Sequence, residues 1–176
     1  MSVRRETVDL SKADLDFLKK IVESGGEKIL LCVQCGTCSG GCPAGRRTAY
    51  RTRQVVRRSL TGLKDSVLSS QDIWLCSTCY TCLERCPRGI NVTDVILILR
   101  NLAVQAGFML KSHKDVCTYL LRTGHAVPIT DKYKALRKEL KLPELPPTAH
   151  SYPDAVDEIR RIASKTGFDK LVGFEG

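Results

Sequence analysis

Eight of the nine cysteines stand in two short runs, CVQCGTCSGGCP from Cys32 to Pro43 and CSTCYTCLERCP from Cys76 to Pro87. Both runs space their cysteines by two, two and three residues, and each closes with proline. No other feature restricts the fold as strongly, because whatever engages the thiols must wrap each run into a tight loop. Three uses compete for such residues: disulfides, metal ligation, and packing as small apolar groups.

The rest of the sequence weighs against disulfides. The start, MSVRRETVDLSKADLDF, has no apolar leader segment, so no secretion signal is expected. The most apolar stretch, DVILILRNLAVQAGFML, is broken by Arg100, Asn101 and Gln105. It falls short of the roughly 20 apolar residues that cross a bilayer. A soluble, cytoplasmic protein is expected, and in a reducing compartment clustered cysteines serve as ligands or catalysts. Structural zinc takes four ligands, commonly as two C-x2-C pairs, which would leave the third and fourth cysteine of each run surplus.

The pattern C-x2-C-x2-C-x3-C-P resembles the run with which bacterial two-cluster ferredoxins hold [4Fe–4S] clusters, the fourth cysteine of each run serving the other cluster. On that resemblance Cys32, Cys35, Cys38 and Cys86 hold one cluster, and Cys76, Cys79, Cys82 and Cys42 the other. Three cysteines at this spacing can wrap a turn around three corners of a cube. The fourth, followed by Pro43 or Pro87, leaves the turn for the neighbouring cube, although these prolines read equally as turn endings. Two complete ligand sets leave no open coordination position. Electron relay, with no catalytic residue in this chain, is therefore the expected work.

The formal charge of +9 suggests an acidic partner, and two oxidised clusters of about −2 each would reduce it to about +5. Arg46, Arg47, Arg51, Arg53, Arg57 and Arg58 crowd between the runs with no acidic residue among them. They read equally as compensation for cluster charge, as a docking face, or as a solvated helix face. Trp74 and Tyr80 are expected to shield a cluster from water. Gly36, Gly40 and Gly41 permit close backbone approach or mark turns. Cys117 reads as a buried inert thiol, and His113, His125 and His150 as surface or loop residues.

Periodicity and end signals predict helices throughout. One covers roughly residues 12–24, capped by Ser11 with Asp14 in the capping-box position and Leu15, Leu18, Ile21 and Val22 on one face, and Gly25-Gly26 stops it. Helices are also expected over 48–60, ended by Gly62, around SSQDIW with Ser69 or Ser70 as cap, and over NVTDVILILRNLAVQAG from Asn91 or Thr93. The last is apolar nearly all round and should be the central buried helix. SHKDVCTYLLRTG, TDKYKALRKEL (Thr130 cap) and PDAVDEIRRIASKTG follow, with KLPELPPT as hinge or surface strap. The reading is all-α: an N-terminal helix and lead-in over 1–31, a cluster domain over 32–125, and a helical C-terminal extension over 126–176 that could dock a partner.

A helical segment between the runs departs from small bacterial ferredoxins and resembles the α-helical ferredoxin fold of succinate dehydrogenase and fumarate reductase iron–sulfur subunits. Their usual [2Fe–2S] domain has no room in the 31 residues before Cys32. LCVQCGTCSGGCPAGRRTAYRTRQVVR and DIWLCSTCYTCLERCPRGINVTDVILILRNLA resemble the C subunit of heterodisulfide reductase from methanogenic archaea, over roughly residues 25–125. That resemblance implies two [4Fe–4S] clusters passing electrons from a flavin-containing A subunit to a catalytic B subunit that reduces the CoM-S-S-CoB heterodisulfide. It also implies flavin-based bifurcation, a hydrogenase or formate dehydrogenase as electron source, and a hetero-oligomer, possibly a dimer of heterotrimers. The rivals are the iron–sulfur subunit of another dehydrogenase (glycerol-3-phosphate, lactate or fumarate/succinate type) and a nucleic-acid-binding protein with structural clusters. The latter is disfavoured because the basic stretch lacks aromatics for base stacking.

Overall fold

A computed structural model describes residues 9–174, in which helices and turns account for the ordered backbone and no strand occurs. The chain is all-α, as expected. It forms two compact units, Met1–Phe108 and Met109–Gly176.

In the first unit the chain enters through α1 (Leu15–Ile21), whose cap is Asp14: its carboxylate accepts from the amides of Asp16 (3.0 Å) and Phe17 (3.2 Å). Ser11 is therefore not the helix cap. It lies in a 3-10 turn, Leu10–Lys12, capped by Asp9. Starting the helix at Leu15 leaves that side chain exposed and turns Phe17 and Ile21, one turn apart, into the core. Gly25, at φ 96°, breaks the helical path as expected.

The helix expected over 48–60 begins late, and a separate short helix that was not expected precedes it. Helix α3 (Pro43–Arg47) ends at Thr48, whose backbone is extended and whose hydroxyl donates to the Ala44 carbonyl. Helix α4 begins only at Thr52 and runs to Leu60. Helix α5 (Lys64–Leu68) follows, then a 3-10 turn, Gln71–Leu75, capped by Ser70. Between α4 and α5, Gly62 takes φ +72°, and a Cβ there would sit 2.7 Å from the Asp14 carbonyl oxygen. The Gly62 carbonyl also accepts the Asp14 amide at 2.8 Å. Gly62→Ala should cost more than ~1 kcal/mol, through a left-handed non-glycine backbone and the clash together. A thermal melt of the loaded protein checks this, with Tm expected to fall by roughly 5 °C or more.

The central helix α7 (Val92–Gln105) is capped by Asn91 and buries Val92, Thr93, Val95, Ile96, Leu99 and Ala103. Helices α1 and α5 and the 3-10 turn before Cys76 pack on it. Its fully buried Ile96 and Leu99 each contribute about 1.5–3 kcal/mol of transfer free energy. Cys32, Cys42, Cys76, Cys82 and Cys86 lie against this core.

The second unit holds α8 (Lys111–Thr123), α9 (Asp131–Glu139), α10 (Pro153–Thr166) and a short helix absent from the sequence reading, α11 (Phe168–Val172). The boundary expected at 125/126 lies inside this unit, because α8 packs with α10 and α11. Arg160 of α10 donates to the carbonyls of Leu121 (2.9 Å) and Arg122 (2.9 Å) at the end of α8. The segment around Pro143–Thr148 is a strap within the unit: Arg137 donates to the Pro143 carbonyl, and Thr148 meets His125 Nδ1 at 3.2 Å. His150 Nδ1 donates to the Thr123 carbonyl at 3.1 Å, so two of the three histidines stitch this unit together. Cys117 is half-buried, and burial pushes its thiol pKa up.

Candidate metal centre

Each cysteine run repeats one backbone plan. A 3-10 turn, Glu27–Leu31 or Gln71–Leu75, delivers the first cysteine. The residues two and four places on then take positive φ: Gln34 (56°) and Gly36 (86°) in the first run, Thr78 (52°) and Tyr80 (59°) in the second. Alternating backbone of this sort turns successive N–H groups toward one side and makes an anion-binding concavity. A one-turn helix carries the third cysteine, α2 (Thr37–Gly40) with Cys38 and α6 (Thr81–Glu84) with Cys82. These two turns pack against each other.

That packing mixes the runs. One cavity is lined by Cys32, Cys35, Cys38 and Cys86, together with Gln34, Thr37, Arg53, Arg88 and apolar side chains. The other is lined by Cys42, Cys76, Cys79 and Cys82, with Tyr50, Thr52, Ser77, Thr81, Thr93 and Ile96. Each cavity thus gathers three cysteines of one run and the fourth of the other. Cys42 reaches across as the residue that starts α3, with Pro43 in its first turn.

Hydroxyl and amide groups attend the sulfurs. Gln34 Nε2 donates to Cys32 Sγ at 3.3 Å, Thr37 Oγ1 lies 3.4 Å from Cys35 Sγ, Thr81 Oγ1 3.4 Å from Cys79 Sγ, and Thr93 Oγ1 3.3 Å from Cys82 Sγ. Cys35 and Cys79 are exposed, and their hydrogen bonds with Thr37 and Thr81 hold their thiol pKa values below the ordinary range. Burial pushes Cys38 and Cys82 the other way. Two buried polar atoms meet no partner among the described residues, Gln34 Oε1 and Tyr50 Oη, and each residue lines one cavity. An unused hydroxyl donor at Tyr50, the Gln34 amide donating to Cys32 Sγ, and four thiols around each cavity fit a polar, sulfur-bound group. Among the described residues no three His, Cys, Asp or Glu side chains converge as ligands of a single ion. A cube does not require that, since each of its four thiolates binds a different iron.

Residues 28–90 match the 4Fe-4S dicluster domain family. Over 174 residues, 98% of this chain and 94% of the relative, the sequence is 47% identical to the C subunit of the H2:CoB-CoM heterodisulfide,ferredoxin reductase of Methanothermobacter marburgensis. It is 51% identical over 167 residues, 90% of each chain, to the C2 subunit of the H2/formate:CoB-CoM heterodisulfide,ferredoxin reductase of Methanococcus maripaludis. The chain belongs to the family of heterodisulfide reductase C subunits. Similarity extends to the C subunit of the Ferredoxin:CoB-CoM heterodisulfide reductase of Methanosarcina mazei, 45% identical over 154 residues, 88% of this chain and 95% of the relative. As a member of that family it is an iron–sulfur protein whose cofactors are two [4Fe–4S] clusters. None of its described helices is long and apolar enough to cross a membrane.

Several residues around the site stand differently from the expectation. Trp74 and Tyr80 line neither cavity: Trp74 stacks under Arg100, 5.7 Å from ring centroid to guanidinium carbon, and the Tyr80 hydroxyl donates to Asp94 at 3.3 Å. The aromatic that does line a cavity is Tyr50. The arginines divide by task. Arg53 lines the first cavity, Arg58 lies 3.9 Å from Asp72, and Arg51 donates to the carbonyls of Gly45, Thr48 and Tyr50. Arg46, Arg47 and Arg57 are exposed. Arg100 is the other residue the sequence hid. Its guanidinium donates to the carbonyls of Ile73 (2.9 Å), Trp74 (3.3 Å) and Cys76 (2.5 Å), fastening α7 to the loop that presents Cys76.

Proposed function

We propose that this chain is the electron-relay subunit of a soluble, cytoplasmic CoB–CoM heterodisulfide reductase complex. In this reading Cys32, Cys35, Cys38 and Cys86 hold one [4Fe–4S] cluster and Cys76, Cys79, Cys82 and Cys42 the other. The single observation that carries it is the sorting of the eight thiols into two cavities of four, each drawing on both runs. When bound, each cluster supplies a one-electron carrier. The chain's own residues hold the thiolates, donate hydrogen bonds to their sulfurs, and bury one side of each cavity against α7. All four cysteines of each cavity are then used as ligands, so no position is left for a substrate and no bond is remade in this subunit.

Electrons enter from a flavin-containing A subunit and leave to a catalytic B subunit, within a complex that couples heterodisulfide reduction to ferredoxin reduction by bifurcation. Cys35 and Cys79 are exposed, so each cavity reaches the surface of the chain at that cysteine. The names of the relatives include hydrogen, formate and ferredoxin, so the proteins that co-purify from native cells identify the donor. Anaerobically purified protein is expected to contain about eight irons and eight sulfides and to show two interacting cluster signals by EPR. Zinc, or only about four irons, would overturn the reading, as would native complexes lacking A and B subunits.

A further inference from the structure

Tyr50 is 1% exposed, lines the cavity of Cys42, Cys76, Cys79 and Cys82, and has a hydroxyl with no hydrogen-bond partner among the described residues. Leaving a buried hydroxyl unpaired is costly, so native proteins rarely keep one without a use. The backbone that carries the ring is firmly held. The Tyr50 amide donates to Thr48 Oγ1 at 3.1 Å, and Arg51 Nη1 grips its carbonyl at 2.8 Å along with those of Gly45 and Thr48. Burial, reinforced by the Cys76 sulfur, pushes the phenol pKa up, with Thr52 pulling the other way. The cavity it lines is rich in hydroxyls and includes no charged side chain, whereas Arg53 and Arg88 line the other.

We propose that the Tyr50 hydroxyl donates a hydrogen bond to a sulfur of the cluster held in the second cavity and raises that cluster's reduction potential. Reduction adds negative charge to the sulfurs, so a fixed donor stabilises the reduced form more than the oxidised one. The two cavities are thereby tuned by different means: buried hydroxyls at Tyr50 and Thr93 in one, an amide at Gln34 and two guanidinium groups in the other. This rests on the ligand sets proposed above.

The test is an EPR-monitored redox titration of the full chain carrying both clusters, as wild type, Tyr50→Phe and Gln34→Leu. Eight irons in the wild-type protein establishes that both clusters are loaded, and the iron content of the double variant Cys42→Ser, Cys79→Ser tests the ligand sets separately. Tyr50→Phe keeps the ring and should keep all eight irons. It should lower one cluster's reduced-to-oxidised ratio at fixed potential about tenfold, the worth of one charge-assisted hydrogen bond, which for one electron is ~59 mV. Gln34→Leu should move the other centre. A solvent-exchangeable proton coupling at the first of these centres should vanish in Tyr50→Phe. Unmoved potentials, a shift of the same centre by both variants, or loss of iron in Tyr50→Phe would each overturn the proposal, the last by giving Tyr50 a packing role instead.

Discussion

Cys42→Ser should lower the iron content from about eight to about four per chain, emptying the cavity of Cys76, Cys79 and Cys82 while the other stays loaded. Serine is nearly isosteric and can keep the backbone at the start of α3, where the Cys42 amide donates to the Ser39 carbonyl at 3.3 Å. What changes is the ligand: a hard oxygen that ionises far less readily than a thiol, offered to a soft iron–sulfur site. The crossed wiring makes a sharper demand on the double variant. Because Cys42 and Cys79 would serve the same cluster, Cys42→Ser with Cys79→Ser should lose no more iron than either alone, the non-additivity expected of residues acting as one unit. If each run held its own cluster, the double variant would lose both.

Arg100→Met should be strongly destabilising, costing about 3 kcal/mol and lowering Tm by roughly 10 °C or more. Methionine keeps packing over Trp74 but removes every donor to the carbonyls of Ile73, Trp74 and Cys76. Hydrogen bonds from a charged group are worth about 1.5–3 kcal/mol each, and these bonds are partly buried. The loop presenting Cys76 is then free to move, so thermal bleaching of cluster absorbance should begin earlier than in wild type. Arg100→Lys should rescue only part of the loss, because an ammonium cannot reproduce the guanidinium fork. Equal melting of Arg100→Met and wild type would remove Arg100 from the support of the site.

What the sequence made legible was local. The cysteine runs could be read because their chemistry is written in spacing, and most helices because glycine and asparagine mark their ends at Gly62, Asn91, Gly124 and Gly167. Competition between neighbouring signals misled at the N-terminus, where both Ser11 and Asp14 can cap and only the carboxylate of Asp14 reaches the amides of Asp16 and Phe17. Long-range contacts were out of reach. Arg100 looked like a polar interruption of an apolar helix, although its partners lie at Ile73, Trp74 and Cys76. Likewise α8 joins the second unit through Arg160, far along the chain. Tyr50 sits in a basic stretch with nothing to distinguish it from a surface tyrosine. Only its burial beside the second cavity, with an idle hydroxyl, gives it away.

Iron anomalous diffraction from the anaerobically prepared complex tests the central claim most directly. The account predicts two four-iron peaks in this protein, one bounded by the sulfurs of Cys32, Cys35, Cys38 and Cys86 and the other by those of Cys42, Cys76, Cys79 and Cys82. A cluster enclosed by the four cysteines of a single run, or single-ion density in either cavity, would contradict it.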